Sequence, residues 1–224
     1  MNWRRSCAII IPCFNEARTI ARVVQDAIRY LPCVLIVDDG SLDLTAKEAK
    51  RAGATVLRHS HNQGKGAALA TGLAAAHDQG FTWALAMDGD GQHASSDIPK
   101  FFHCAADTGA TLIVGNRMQD PDRMPPLRRF VNRWMSRRIS ARAGRVLPDS
   151  QCGFRLIHLP TWRSFALSTR HFEVESEFLM AFVRAQQPIE FVAIEVIYKA
   201  EQSKIRPFTD TLRWFRWWRG AGRA

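Results

Sequence analysis

The 224-residue chain is short of acid: 21 Asp and Glu stand against 31 Lys and Arg, a formal net charge of +10. That imbalance points to a polyanionic partner, an anionic membrane surface or phosphorylated substrates, without choosing among them. Cysteines are few and scattered (Cys7, Cys13, Cys33, Cys104 and Cys152), with no CxxC pair. An odd number of thiols, two of them in apolar runs that read as buried strands, argues against a disulfide framework and for reduced thiols in a cytosolic protein. No long apolar run exists. The longest nearly apolar stretch, "CAIIIPCF", falls far short of the roughly 18 to 20 residues needed to span a bilayer, and "MNWRRS" leads into a strand with no signal-peptide cleavage region. The expectation is a chain neither secreted nor transmembrane. Repeats, low-complexity tracts and Gly/Ser/Pro-rich linkers are also missing, so one domain spanning 1–224 is expected.

What is present alternates. "CAIII", "CVLIV", "TVLRH", "WALAM" and "TLIVG" are short apolar runs. Between them lie segments of helical character, such as "EARTIARVVQDAIRYL", where Ile20, Val23, Val24, Ala27, Ile28 and Leu31 share a face. Uninterrupted apolar strands separated by helices predict an α/β fold whose parallel sheet is covered on both sides. Ligands of such sheets bind beyond the carboxyl ends of the strands. Those ends read "PCFNE", "DDGSLD", "DGDGQH" and "GNR", a collection of polar and acidic residues where a ligand is expected.

The second half adds strands in "CGFRLIH" and "IEFVAIEVIYKA" and a helix in "VESEFLMAFVRAQ". A basic amphipathic helix is predicted at about 125–143, with Leu127, Phe130, Val131, Trp134 and Ile139 near one face. A Trp/Arg-rich helix is predicted at about 207–219, with Phe208, Leu212, Trp214, Phe215 and Trp218 on a broad arc.

Several motifs carry chemistry, each with a plainer reading beside it. Asp88, Asp90 and Gln92 alternate, an arrangement that suits Mg²⁺ or Mn²⁺ bridging a diphosphate and equally suits an Asp/Gly turn. Asp38 and Asp39 end a strand, where a carboxylate accepts hydrogen bonds from a base or ribose; helix capping by Ser41 or Asp43 is the alternative for this segment. "NQGKGAA" lacks the GxxxxGK[ST] spacing and is not a P-loop; its glycines bring a helix start close to the sheet. Arg117, Lys204 and Arg206 are candidate phosphate ligands or surface charges. Glu173, Glu175 and Glu177 read as helix-start carboxylates, Asp149 as a turn residue, and His93 as a turn histidine more readily than a metal ligand.

"IIIPCFNE", "VDDGSLD", "NQGKGAA", "DGDGQH", "VGNR" and "DSQCGFR" occur in one order at domain-scale intervals. Jointly they resemble glycosyltransferase family two, within it the dolichol-phosphate mannosyltransferase-like and polyprenyl-phosphate glycosyltransferase-like members. The resemblance runs from about Cys7 through Arg155 and more loosely through "KIRPFTDTLR". It implies a GT-A (nucleotide-diphospho-sugar transferase) fold, with a mostly parallel central sheet flanked by helices. It also implies a nucleotide-sugar donor and inversion at the anomeric carbon. By that resemblance Pro12, Phe14, Glu16, Val37 and Asp39 line the nucleotide pocket. Asp88 lies near ribose and metal, Asp90 and Gln92 ligate Mg²⁺ or Mn²⁺, and Arg117, Lys204 and Arg206 meet phosphate.

A phosphate acceptor needs no proton removed. A hydroxyl acceptor needs a base, with Asp149 or Glu175 as candidates. The acceptor implied is lipid-linked, polyprenyl phosphate first, with a lipid, pigment or glycan hydroxyl as the alternative. Two departures stand out: Asn116 replaces the usual Ser or Thr of "GNR", and "DTLRW" puts Asp210 at the glutamine of the QxxRW motif of processive synthases, so processivity is not implied. With eight arginines from Arg123 to Arg145 and a Trp-rich end, the expected placement is cytoplasmic, peripheral on the inner face of the membrane. The rivals are a basic nucleic-acid-binding module, which leaves the acidic strand ends unexplained, and a sugar nucleotidyltransferase, which the loop "PCFNE" disfavours.

Overall fold

The computed structural model describes residues 1–119, 124–165, 169, 171, 173–197 and 207–220; in the last segment the side chains are described from 213 to 219. The elements in chain order are α1 (Trp3–Ser6), β1 (Cys7–Cys13), α2 (Ile20–Ile28), β2 (Val34–Asp38), α3 (Thr45–Arg51) and β3 (Thr55–Arg58). Then follow α4 (Lys65–Asp78), β4 (Trp83–Ala86), α5 (Ile98–Thr108) and β5 (Leu112–Asn116). The remainder is α6 (Pro126–Ala143), β6 (Arg155–His158), α7 (Leu159–Arg163), α8 (Val174–Arg184), β7 (Ile189–Ala193) and α9 (Pro207–Gly220).

The strands form one sheet in the order β3-β2-β1-β4-β6-β5-β7. Every pairing is parallel except those of β6 with β4 and β5. β1, β2, β4 and β5 are buried almost throughout, as strands covered on both faces must be. Chain order reverses between β1 and β4, which opens a crevice at their carboxyl ends. Because β6 runs antiparallel, with Arg155 opposite Ala86, the loop 150–154 reaches that same rim.

α2 starts at the first residue of its apolar face, Ile20, four residues into the segment "EARTIARVVQDAIRYL". α2 begins at Ile20 because residues 16–19 form a turn, and α3 begins at Thr45 because the residues before it are engaged elsewhere. Ser41 Oγ accepts the Asn15 amide at 2.9 Å, and Asp43 accepts the amides of Ala17 and Thr45 at 3.1 and 2.9 Å. Asp43, one residue before the cap position Leu44, thus satisfies the first amide of α3, while Ser41 ties the β1 loop to the β2 loop. α4 lies very close to the sheet. A Cβ at Gly72 would sit 2.3 Å from Ile10 Cγ2 and 3.1 Å from Val37 Cγ2. That contact fixes where Lys65, its first residue, is presented.

α6, α8 and α9 enclose a second apolar cluster of Met135, Ile139, Leu147, Met180 and Trp214. The arc expected on α9 is divided: Trp214 is buried, whereas Phe215 is 40% exposed. On α6 Ile139 is buried, but the amino-terminal end of its apolar face is not covered, with Leu127 at 69% and Phe130 at 68% exposure.

Candidate active site

Lys65 closes the crevice between β1 and β4. Its ammonium lies 2.6 Å from Asp88 Oδ1 and 2.7 Å from Glu175 Oε1, joining α4, the end of β4 and the first turn of α8. Pro12, Lys65, Leu69, Ala86, Met87, Asp88, Gly153, Arg155 and Glu175 surround a space of about 10 Å³, the size of a single water. Gly153 leaves this ion pair its room: a Cβ there would lie 2.9 Å from both Asp88 Oδ1 and Lys65 Nζ. Burial pushes the Asp88 carboxyl up, but Lys65 and His93 beside it outweigh this and hold it well below the ordinary range. Asp88 is therefore an anion, neutralised on one side by Lys65.

The turn after Asp88 supplies the remaining oxygen ligands. Asp90 Oδ1 accepts the Gln92 amide at 3.0 Å, and Gln92 Oε1 accepts from Arg128 of α6 at 3.3 Å. Burial, then the charge of Asp88, raises the Asp90 carboxyl above its ordinary value. The two carboxylates are thus close enough for the charge of one to act on the other. His93 is packed flat on Phe154, its Nδ1 accepting the Asp88 amide at 3.2 Å, and burial pushes its imidazole below its ordinary value. Among the described residues no group of three or more His, Cys, Asp or Glu is placed to hold a metal alone. Two carboxylates and an amide are nonetheless the donor set that suits Mg²⁺ or Mn²⁺, hard ions that complete their shells with water and substrate phosphates. The residues fit such an ion.

Asp149 is not placed to act as a base. Its Oδ2 accepts from Arg117 Nε and N at 2.7 and 3.2 Å. Its Oδ1 accepts from Arg117 Nη2, Asn132 Nδ2 and the Gln151 amide at 2.8, 3.0 and 3.1 Å. With both oxygens occupied and no exposure, the carboxylate holds Arg117 rather than taking a proton. Burial pushes the Asp149 carboxyl up, yet Arg117 outweighs this and holds it below its ordinary value. Arg117 is 8% exposed and spends two of its nitrogens on this pair. Glu175 differs: one oxygen meets Lys65, while Oε2 is buried with no hydrogen-bond partner among the described residues.

Two residues expected to line a nucleotide pocket, Val37 and Asp39, are buried in the fold. Val37 is fully buried against α4. Asp39 is 2% exposed; its carboxylate accepts the amides of Gln63 and Gly64 at 2.9 and 2.8 Å and pairs with His59 Nδ1 at 2.7 Å. It anchors the loop that enters α4. Pro12 at the end of β1 and Phe14 and Glu16 just after it are half-buried at the rim, and the turn 88–92 is tied to this segment through Thr19, whose Oγ1 donates to the Gly89 carbonyl at 2.7 Å. Lys204 and Arg206 lie outside the described residues.

Lys65, Gly153 and Arg155 were not singled out by sequence. The signal for Lys65 was present: a lysine between two glycines at a helix start, judged against a phosphate-loop spacing it does not have. Arg155 is buried behind the cavity, its Nε donating to the Cys152 carbonyl at 2.7 Å.

A family model described as "Glycosyl transferase family 2" matches residues 8–159. The UDP-N-acetylglucosamine–dolichyl-phosphate N-acetylglucosaminyltransferase of Methanococcus voltae is 30% identical over 213 residues, covering 85% of each chain. Glycosyltransferase AglJ of Haloferax volcanii is 31% identical over 85% of this chain and 62% of its own. The fold also matches a crystal structure of glucosyl-3-phosphoglycerate synthase from Mycobacterium tuberculosis in complex with Mn²⁺, UDP and phosphoglyceric acid. That match has a TM-score of 0.75 and 18% identity, covering 95% of this chain and 75% of that one.

Proposed function

The chain belongs to glycosyl transferase family 2, and from that premise we propose that it transfers a sugar, with inversion, from a nucleoside-diphosphate sugar to polyprenyl phosphate at a membrane surface. The observation that carries the reading is the Lys65–Asp88–Glu175 cluster at the switch point, with Asp90 beside it. Its carboxylates outnumber its one ammonium, so the site suits an anionic donor that arrives with a divalent cation. The Methanococcus relative, by its name, uses UDP-N-acetylglucosamine and dolichyl phosphate, which supports the same pairing of substrate classes.

In the reaction the bond from the anomeric carbon to the diphosphate oxygen breaks, and its electron pair leaves with the nucleoside diphosphate. An acceptor oxygen forms the new bond from the opposite face. Pro12, Phe14 and Glu16 line the nucleotide side of the crevice. Asp88, Asp90 and Gln92 would hold Mg²⁺ or Mn²⁺, which supplies positive charge against the departing diphosphate. Arg117, fixed by Asp149, adds a preorganised cation that need not reorient during the reaction. Lys65 holds Asp88 and Glu175 at a set distance from each other. A phosphate acceptor arrives as an anion and needs no base. The unpartnered Oε2 of Glu175 favours a second reading, in which that carboxylate takes the proton of a hydroxyl acceptor.

Among the described residues no helix is long and apolar enough to cross a membrane. Leu127 and Phe130 of α6 and Phe215 of α9, uncovered and set among arginines, offer apolar contacts to a lipid surface. This arrangement suits peripheral docking on an anionic leaflet, such as the inner face of the cell membrane.

A thermal-shift panel of UDP- and GDP-sugars with and without Mn²⁺ tests the donor reading. A donor with Mn²⁺ should raise the melting temperature of the wild type and leave Asp90→Ala unmoved. No shift with any nucleotide sugar, or full transfer by Asp90→Ala, would remove it.

A further inference from the structure

The "RW" pair near the carboxyl end has a place in the fold that the transfer chemistry does not by itself use. Trp214 is 1% exposed, stacked on Trp218 at 5.2 Å and edge-on to Trp134 at 5.5 Å. Its indole N–H donates to Ser176 Oγ at 2.9 Å. Ser176 is fully buried and directly follows Glu175 in the first turn of α8. The same hydroxyl accepts from Gln151 Nε2 at 2.8 Å, and the Gln151 amide N–H donates to Asp149 Oδ1 at 3.1 Å. Asp149 in turn holds Arg117. One indole nitrogen is thus joined through a serine and a glutamine to both carboxylates at the crevice. The Trp214–Ser176 joint is buried, so no solvent stands ready to replace its donor once lost, while the two joints through Gln151 are part-buried.

We propose that Trp214 is a positioning residue. Seated through its bond to Ser176, α9 fixes the first turn of α8 and so holds Glu175 against Lys65. Through Gln151 it steadies the Asp149–Arg117 pair. This rests on the transferase reading for its effect on turnover, but not for the connection itself. Phenylalanine at 214 keeps most of the aromatic packing and removes the N–H. Alanine at 176 removes the acceptor with the smallest change in volume.

In the full-length chain, Trp214→Phe and Ser176→Ala should each lower kcat about tenfold, the effect of one broken buried hydrogen bond, with donor KM within about twofold of wild type. The double variant should be no slower than the worse single one, because both remove the same bond. Trp217→Phe, on the same helix and in the same cluster, should keep the wild-type kcat. Independently of any substrate, amide hydrogen exchange at 174–178 and 149–151 should quicken in Trp214→Phe and not in Trp217→Phe. Unchanged kcat in Trp214→Phe, multiplying effects in the double variant, or unchanged exchange at 174–178 would each overturn the proposal. If the wild type turned over no nucleotide sugar, the transferase reading would fall, and exchange alone would decide the connection.

Discussion

The Asp149 carboxylate accepts five hydrogen bonds, three of them from Arg117. Asparagine at this position would leave the buried guanidinium without its counter-charge, so Asp149→Asn should cost about 3–5 kcal/mol at pH 7 and abolish transfer. The folded carboxyl lies below its ordinary 3.8. As pH falls, the unfolded chain therefore takes up the proton first. The pair's contribution is complete above 3.8 and fades as pH falls through the lowered folded value. Urea melts should show the gap between wild type and Asp149→Asn closing as the pH is brought down from 7 through that range. Asp90 points the other way, since it is held against Asp88 in a half-buried turn. Asp90→Asn should raise the melting temperature of the metal-free chain while removing transfer, and Mn²⁺ should stabilise the wild type more than the variant.

Elements place these residues, and two of them are sensitive to single atoms or faces. Gly72→Ala improves the helix propensity of α4, yet its Cβ would collide with Ile10 at 2.3 Å. Overpacking should win, with a net loss of about 1–3 kcal/mol by thermal melting. Donor affinity should weaken too, as the start of α4 moves away with Lys65. The periodicity of α6 and α9 was plain in the sequence, and both helices form where expected. Which apolar residues they bury was not, because that depends on how far each helix extends past its neighbours. Phe130→Ser with Phe215→Ser should abolish sedimentation with anionic vesicles while leaving the donor-induced thermal shift intact. Retained sedimentation would remove α6 and α9 as the docking face.

At the scale of the whole molecule, the excess of +10 predicts that the proposed vesicle binding is salt-dependent, since exposed charges are screened within about 8–10 Å at physiological ionic strength. Raising salt to ~1 M should weaken sedimentation without altering the melting temperature of the fold, whose sheet is held by apolar burial. That sheet was legible from the chain: continuous apolar runs, helical spacers between them, and acids at the strand ends all depend on neighbours a few residues apart. The roles of those acids were not legible. Asp39 spends its carboxylate on amides 24 and 25 residues away, Asp149 on an arginine 32 residues away, and Lys65 on a glutamate in the opposite half of the chain. The sequence by itself determined the alternation of strands and helices and the rim at which charge gathers, because periodicity and turn chemistry act locally. Only the tertiary structure decided which carboxylate is neutralised, which serves as an anchor and which keeps an open oxygen. A charge takes its function from whatever lies about 3 Å away, and folding alone brings those groups together.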